Sequence, residues 1–137
     1  MKTEDCGMLD QIFSHVDGQG AVRHFNTTAI TNAILSRVLA PDFATLLLTP
    51  SVVSHIEQNH GIEPGHLNKI PDEALNRPVL LAMFRDNTSL VIDGNHRIVK
   101  RYRIGKTTVD ALVITEAQWL PFLVVDMQYH VPMKTLV

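Results

Sequence analysis

The sequence has little sulfur available for cross-linking, because Cys6 is the single cysteine among 137 residues. One thiol cannot close a disulfide within the chain, so a small disulfide-stapled scaffold is excluded. The cysteine count suits a protein that folds in a reducing compartment.

Long apolar runs are also missing. No stretch of the sequence approaches the roughly 18 apolar residues of a membrane-spanning helix. The first five residues, Met1 to Asp5, include two acids and are not followed by an apolar segment of signal-peptide length. We therefore expect a cytoplasmic protein with no membrane partner.

An excess of charge of one sign is the third feature that the sequence lacks. It has 12 Lys and Arg against 14 Asp and Glu, a formal net charge of −2. This balance gives no global attraction to DNA, RNA or anionic lipid, so a nucleic-acid contact requires a local basic patch. The hydrophobic fraction of 45% argues against disorder. The length predicts one domain over residues 1–137.

Alternating apolar residues and turn residues predict two β-hairpins. The first joins residues 12–16 to residues 21–25 through Asp17-Gly18-Gln19-Gly20. The second joins residues 79–84 to residues 89–92, and its exit delivers the chain to Asp93.

Helical spacing and capping residues predict three main helices. The first begins at Thr27 or Thr28 and is stopped before Pro41, and the second spans residues 51–59 after Thr49-Pro50. The third spans residues 96–104 and ends at Gly105. Three lesser features are a loop at Pro64-Gly65, a single helical turn at residues 71–75 and a last helix at residues 116–119.

Two further strands complete the expected fold, a buried strand at residues 43–48 and another at residues 107–114. The sum is an α+β fold with a small mixed sheet and hairpins flanked by helices. Residues 43–125 form its core, and residues 1–42 form a hairpin-plus-helix extension. The tail from Asp126 onwards carries no structural signal.

The turn Asp93-Gly94-Asn95-His96-Arg97 lies between a strand and a helix and has the composition of a phosphate site. A helix N-terminus leaves backbone N–H groups unpaired and carries partial positive charge. Gly94 allows close approach of an anion, and Asn95 and His96 can donate from the first turn. Arg97 adds a planar fork of donors that matches phosphate oxygens.

Asp93 would repel an anion at this turn unless it has another role. It can hold Mg²⁺ against the phosphates, or it can act as a general base that orients an attacking hydroxyl or water. It can also simply cap the helix. The corresponding structural alternative for the whole turn is a capped corner with a solvated His96 and an Arg97 that pairs with a surface acid.

A basic stripe follows on the same helix. Arg97 and Lys100 extend the predicted phosphate site, and Arg101 is a second-site candidate beside Arg103 and Lys106. The alternative is a solvated helix face whose cations favour the C-terminal end of the helix dipole.

The order of strand, turn, strand, Asp-Gly-x-His-Arg, helix and strand resembles the ParB/sulfiredoxin-like superfamily. Members carry Gly-Cys-His-Arg, Gly-Glu-Arg-Arg or Asp-Gly-His-His-Arg motifs at this corner. The resemblance runs from residue 77 to residue 114, with a weaker match at residues 46–61. It implies a corner that faces ATP, ADP or CTP, with Gly94, His96 and Arg97 on the phosphates. Asp93 matches the acid that opens the motif in the free-serine kinase branch.

Departures from the superfamily motifs narrow the activity that the resemblance implies. Asn95 stands where sulfiredoxins carry their reactive cysteine, so reduction of a sulfinic acid is not expected. Asn95-His96 also stands in place of the second arginine of the chromosome-partitioning proteins, and we expect no helix-turn-helix after the domain, so a partition clamp is not expected. Kinase, nuclease, NTPase and pure ligand-binding roles remain open.

A second group of polar residues lies on the predicted helix at residues 51–60, with His66 beyond it. His55 and His60 are five residues apart, which predicts different helix faces and disfavours a zinc pair. Some compact nucleases use two histidines in phosphodiester cleavage, which makes this pair a candidate beside Glu57 as a base. The alternative is that these histidines are structural or solvated. Trp119 and Tyr102 can stack on a base, although Trp119 fits a core position better.

We therefore predict a nucleotide- or nucleic-acid-binding domain that catalyses phosphoryl transfer or phosphodiester or NTP hydrolysis at the turn, with Mg²⁺ as a candidate cofactor. The catalytic candidates are Asp93, His96, Glu57 and His60, and the phosphate contacts are Gly94, Asn95, His96, Arg97 and Lys100. His55 and Arg101 are the second-site candidates. The alternatives are a non-catalytic binder that sequesters or senses a nucleotide or nucleic acid, and an inhibitor domain whose turn grips an acidic partner protein.

Overall fold

The computed structural model describes residues 10–124 of the chain. They form two compact units: a hairpin unit of residues 10–40 and 117–124, and a sheet unit of residues 41–116. Together they hold six strands and five α-helices in an α+β arrangement, which confirms the predicted fold class. The single-domain assignment stays a prediction. Cys6 and the tail from Asp126 lie outside the described residues.

The hairpin unit begins with the predicted β-hairpin. Strands β1 (Ile12–Val16) and β2 (Val22–Asn26) pair antiparallel. Helix α1 (Thr27–Leu35) follows, but its cap is Asn26, whose side chain accepts a bond of 2.9 Å from the amide of Ala29. The two threonines expected to cap the helix instead bond the backbone of Gln11 at the start of β1.

Helix α1 ends earlier than predicted. Arg37 adopts a left-handed backbone with φ 66°, and the amides of Val38 and Leu39 both donate to the carbonyl of Ala33. This reversal closes the helix at Leu35, several residues before Pro41 could stop it.

Helix α5 (Glu116–Trp119) and a 3-10 turn (Leu120–Phe122) end the described chain. Trp119 is 1% exposed, and its ring meets Phe25 edge-on at a centroid distance of 5.2 Å. The interpretation of Trp119 as a core residue is therefore confirmed.

The sheet unit contains four strands in the order β3 (Asp42–Leu47), β6 (Thr108–Ile114), β4 (Val79–Met83) and β5 (Ser89–Asp93). Strands β4 and β6 are parallel, and the two outer pairs are antiparallel. The predicted hairpin of β4 and β5 is confirmed.

Strand β3 was expected to be buried, and that expectation is wrong. It lies at an edge of the four-stranded sheet, where Phe43 is 78% exposed and Leu47 is 61% exposed. An apolar run predicts a strand, but it does not indicate whether that strand lies in the centre of a sheet, where it is buried, or at an edge.

Three helices and a 3-10 turn accompany this sheet. They are α2 (Pro50–Asn59), α3 (Pro64–Lys69), the 3-10 turn (Asp72–Asn76) and α4 (Asn95–Arg103). Helix α3 occupies the position predicted as a loop, because Pro64 serves as a first helical residue, which needs no amide donor. Helix α4 packs against α2, against α3, against the 3-10 turn and against β4.

The core of the sheet unit is aliphatic and joins α2, α4 and the central strands. Its members are buried residues from every one of these elements, among them Val53, Ile56, Val79, Leu81, Ile98, Val99, Val109 and Ala111. No helix within residues 10–124 is long and apolar enough to cross a membrane.

Candidate functional site

The backbone of the Asp93–Arg97 turn depends on Gly94. Gly94 has φ 106°, a left-handed conformation, and a Cβ at this position would lie 2.5 Å from Cγ1 of Val79. Glycine is therefore required both by dihedral angle and by space. It forms the N-cap of α4, and no side chain caps the helix there. The capping role considered for Asp93 is thus not observed.

A β-bulge immediately precedes this turn. Leu80 lies opposite Asp93, whereas Leu81 lies opposite Val91, so β5 carries one extra residue, Ile92. Bulges bend a strand and change the direction in which the following side chains point. The side chains after the bulge leave the turn in three directions.

Asn95 is directed into the protein. It is 8% exposed, and its Nδ2 donates to the carbonyl of Val91 at 3.3 Å. Its Oδ1 is buried and has no hydrogen-bond partner among the described residues. A buried acceptor without a donor is costly, on the order of 1–3 kcal/mol, so this oxygen is a candidate for ligand contact.

His96 is directed towards α3. Its Nε2 accepts a bond of 3.3 Å from the amide of Glu63, and its ring lies 4.2 Å from that of His66. Burial lowers the pKa of His96, the charge of His66 lowers it further, and Glu63 partly opposes the shift. Because Nε2 is the acceptor, the neutral ring carries its proton on Nδ1, the nitrogen left to donate to a ligand.

Arg97 is directed back along the turn. Its Nη2 donates to the carbonyl of Pro78 at 3.1 Å and lies 3.8 Å from Oδ2 of Asp93. Its Nε is buried without a partner among the described residues. Burial lowers the pKa of Arg97, with Asp93 opposing the shift and Arg77 adding to it. Arg97 remains a cation, since even a lowered guanidinium pKa lies far above neutral pH.

A cavity of ≈ 360 Å³ lies beside the turn, between α2, the strands β3, β4 and β5, and the first residue of α4. Its volume falls within the range of small-ligand sites, roughly 300–1,000 Å³. Six aliphatic side chains supply much of the wall: Leu46, Val52, Ile56, Leu81, Leu90 and Val91.

Five polar side chains complete the wall of this cavity. Helix α2 contributes Ser51 and His55, and its C-cap contributes His60. The start of β5 contributes Ser89, and the start of α4 contributes Asn95. None of these lining residues is Lys, Arg, Asp or Glu. An apolar wall with a few convergent polar groups is typical of a small-molecule site.

His55 and His60 lie together, contrary to the expectation that they face different sides of a helix. Their ring centroids are 6.0 Å apart with an interplanar angle of 68°. The helical-face rule fails because His60 is the C-cap of α2, with φ −127° and ψ 19°. Its backbone has already left the helix, which turns its side chain towards that of His55.

Glu57 is placed away from this pair. Its Oε2 accepts a bond of 2.7 Å from Nη2 of Arg103, and it is not among the residues of the cavity wall. Of the candidate catalytic residues on α2 and at its C-cap, the two histidines therefore border the cavity and Glu57 does not.

Two of the cations that follow on α4, Lys100 and Arg101, bond to backbone carbonyls of the sheet unit. Nζ of Lys100 donates to the carbonyl of Ile70 at 2.8 Å. Arg101 donates to the carbonyls of Leu75 and Thr108 at distances of 2.7–2.9 Å. Arg101 thus has a structural role, and a phosphate contact by Lys100 would require it to leave Ile70.

Metal binding has little support from side-chain clustering. Within the part of the chain that the structure describes, no group of three or more His, Cys, Asp or Glu residues is arranged to hold a metal ion. A Mg²⁺ ion at Asp93 would take its remaining ligands from phosphate and water.

Two polar lining residues were not predicted as site residues by the sequence analysis, Ser51 and Ser89. Ser51 lies four residues before His55, a spacing that places both on one helix face and was available as a signal. Ser89 has no such signal, since only the pairing of β4 with β5 brings it to the cavity.

Comparison of the chain with known protein families, with curated proteins and with solved structures finds no match. The resemblance to the ParB/sulfiredoxin-like superfamily therefore stays a prediction from the motif and the order of elements.

Proposed function

We propose that the chain binds a nucleotide, or the end of a nucleic-acid strand, with phosphate at the N-terminus of α4 and the remainder of the ligand in the adjoining cavity. One observation carries the proposal. The cavity that borders the first residue of α4 also contains the His55–His60 pair and receives Asn95, a buried side chain with an unpartnered oxygen. The start of α4, the cavity and two histidines of a kind that can transfer protons are therefore adjacent.

The case for phosphate at this helix start rests on its backbone. No side chain caps the helix at Gly94, so no capping side chain competes with an anion for the first amides of α4. The helix dipole adds about half a unit of positive charge at the same point. The carboxylate of Asp93 is offset by Arg97 at 3.8 Å, which reduces its repulsion of the ligand.

The cavity wall suits the uncharged part of a nucleotide. Apolar groups such as Val52 and Leu90 can pack on a base or sugar, while the two serines can bond hydroxyl or ring nitrogen atoms. No Lys or Arg is among the described residues of the wall, so a phosphate that extends from the helix start towards the histidines would meet hydrogen-bond donors there rather than fixed cations.

The histidine pair supports hydrolysis of a phosphate ester or anhydride. One histidine takes a proton from the attacking water as the water oxygen bonds to phosphorus, and the bond to the leaving oxygen breaks with its electron pair on that oxygen. The leaving oxygen departs as a phosphate anion from an anhydride, or takes a proton from solvent when an ester releases an alcohol. The other donates a hydrogen bond to a phosphate or leaving oxygen. Where a metal takes part, Asp93 would hold Mg²⁺ against the phosphates, as one carboxylate commonly does.

Turnover tests this proposal. The protein is incubated with NTPs, cyclic and linear dinucleotides, and short DNA and RNA, each with Mg²⁺ and with EDTA, and the products are separated by chromatography. We expect one ligand class to be converted, with conversion lost in His60→Ala and kept in Gln58→Ala, an exposed neighbour on the same helix. No binding of any ligand by calorimetry would overturn the proposal.

A non-catalytic binder is the second candidate, and the arrangement of cations favours it. Arg97, Lys100 and Arg101 all bond protein carbonyls, whereas transition-state charge is usually met by free cations or metal. This candidate predicts stoichiometric binding with the ligand recovered unaltered.

A further inference from the structure

Asn59 occupies a position from which it acts on His55. Its Nδ2 donates to the backbone carbonyl of His55 at 2.9 Å, which identifies this atom of the amide as the nitrogen. The same Nδ2 lies 3.3 Å from Nδ1 of His55. An amide nitrogen carries two hydrogens and no lone pair for accepting, so it can serve both contacts only as a donor.

We propose that Asn59 is a positioning residue that fixes the tautomer of His55. Because Nδ1 must accept from Asn59, the neutral ring carries its proton on Nε2. His55 then offers the cavity a hydrogen-bond donor rather than a base.

This assignment divides the roles of the two cavity histidines. A donor at Nε2 of His55 fits an acceptor such as a phosphate or leaving oxygen, whereas proton removal from water falls to His60. The ring atom that His55 uses as a donor thus follows from Asn59, a residue that does not line the cavity. The use of the donor rests on the proposed function, but the tautomer does not.

The tautomer is measured on the full chain by long-range ¹H–¹⁵N correlation of the histidine rings at about pH 8, above the ordinary histidine pKa. We expect His55 to show a protonated Nε2 and a bare Nδ1. Asn59→Asp, whose carboxylate can only accept, should reverse the two nitrogens. Gln58→Asp is the matched control, since it adds the same charge one residue away and should leave the ring unchanged.

A protonated Nδ1 in the wild-type ring, or an unchanged ring in Asn59→Asp, would overturn the proposal. Both residues are on the surface of α2, so these substitutions leave the core intact.

Ligand use is measured by titration with AMP and with inorganic phosphate. The Nε2 signal of His55 should shift on binding, and Asn59→Asp should weaken AMP binding by about tenfold relative to Gln58→Asp. Equal affinity in the two variants, despite a reversed tautomer, would refute the use of this donor. A correct tautomer with no response to either probe would instead refute the proposed ligand class and leave the role of Asn59 intact.

Discussion

Asp93 and Arg97 form an ion pair in which Oδ2 and Nη2 lie 3.8 Å apart, too far for a hydrogen bond, while Nη2 donates to the carbonyl of Pro78. The arginine of the motif is therefore oriented by the protein itself. Its side chain is 16% exposed, so a ligand phosphate would have to compete with Asp93 and Pro78 for the same guanidinium.

Asp93→Asn is expected to separate binding from catalysis. It removes the negative charge beside the helix start, so anion affinity should rise or hold, while the partly buried Arg97 loses its counter-charge and stability falls by about 1–2 kcal/mol. Urea unfolding measures the change in stability, calorimetry the change in affinity, and a turnover assay any loss of catalysis. Retained binding with lost turnover would support catalysis through Asp93. Tighter binding by a protein that never turns over would support capture.

Gly94→Ala should destabilise the turn strongly. The substitution adds the cost of a left-handed alanine, on the order of 1–2 kcal/mol, to a clash with Val79 at 2.5 Å. Gly105→Ala is the matched control, because Gly105 has φ 94° but nothing within 4 Å of its added Cβ. The difference between the two unfolding free energies isolates the contact with Val79. Equal losses would mean that the close approach is unimportant.

His96 should make stability depend on pH. Burial lowers its pKa below the ordinary value of 6.5, so the unfolded chain takes up this proton at higher pH than the folded one. Stability is therefore full above about pH 6.5 and falls as the pH drops through and below that value, by at most about 1.4 kcal/mol per pH unit. Urea unfolding is measured between about pH 5 and pH 8, the range in which histidines titrate. The unfolding free energy of His96→Gln should fall less steeply with decreasing pH than that of the wild type. An identical profile in that variant would assign the dependence elsewhere.

Asn95→Leu is expected to weaken ligand binding while leaving stability nearly unchanged. The variant removes the unpartnered Oδ1 and one bond of 3.3 Å, so the unfolding free energy should stay within about 1 kcal/mol of the wild type. Ligand affinity should fall by about tenfold, because an apolar side chain replaces the polar Asn95 at the cavity wall. Unaltered affinity would show that this oxygen does not contact the ligand.

Arg101→Gln should affect folding rather than binding. Arg101 bonds the carbonyls of Leu75 and Thr108, so its loss should cost about 2 kcal/mol of stability. Nucleotide affinity and its dependence on salt should match those of Lys106→Gln, an exposed control. A reduced salt slope in Arg101→Gln alone would restore it as a phosphate contact.

The local pattern of the sequence determined most of the elements and the identity of the turn. Strand alternation, the helix start at Thr49-Pro50 and the helix end at Gly105 act through neighbours a few residues away. The sequence therefore predicted both hairpins, α2 and α4, and the structure confirms them with bounds close to those predicted. Gly94 likewise indicates a backbone with positive φ, which other residues rarely adopt.

What only the tertiary structure decided is how the side chains of that turn are used. The bulge at Ile92 and the neighbours of α4 send Asn95, His96 and Arg97 in different directions, and long-range pairing makes β3 an edge strand. The cavity exists because α2 lies beside β4 and β5, and His60 enters it because the backbone turns at the C-cap. Most of these relationships join residues distant in sequence, and local periodicity carries no information about them; the turn at His60 is local but breaks the helical periodicity itself.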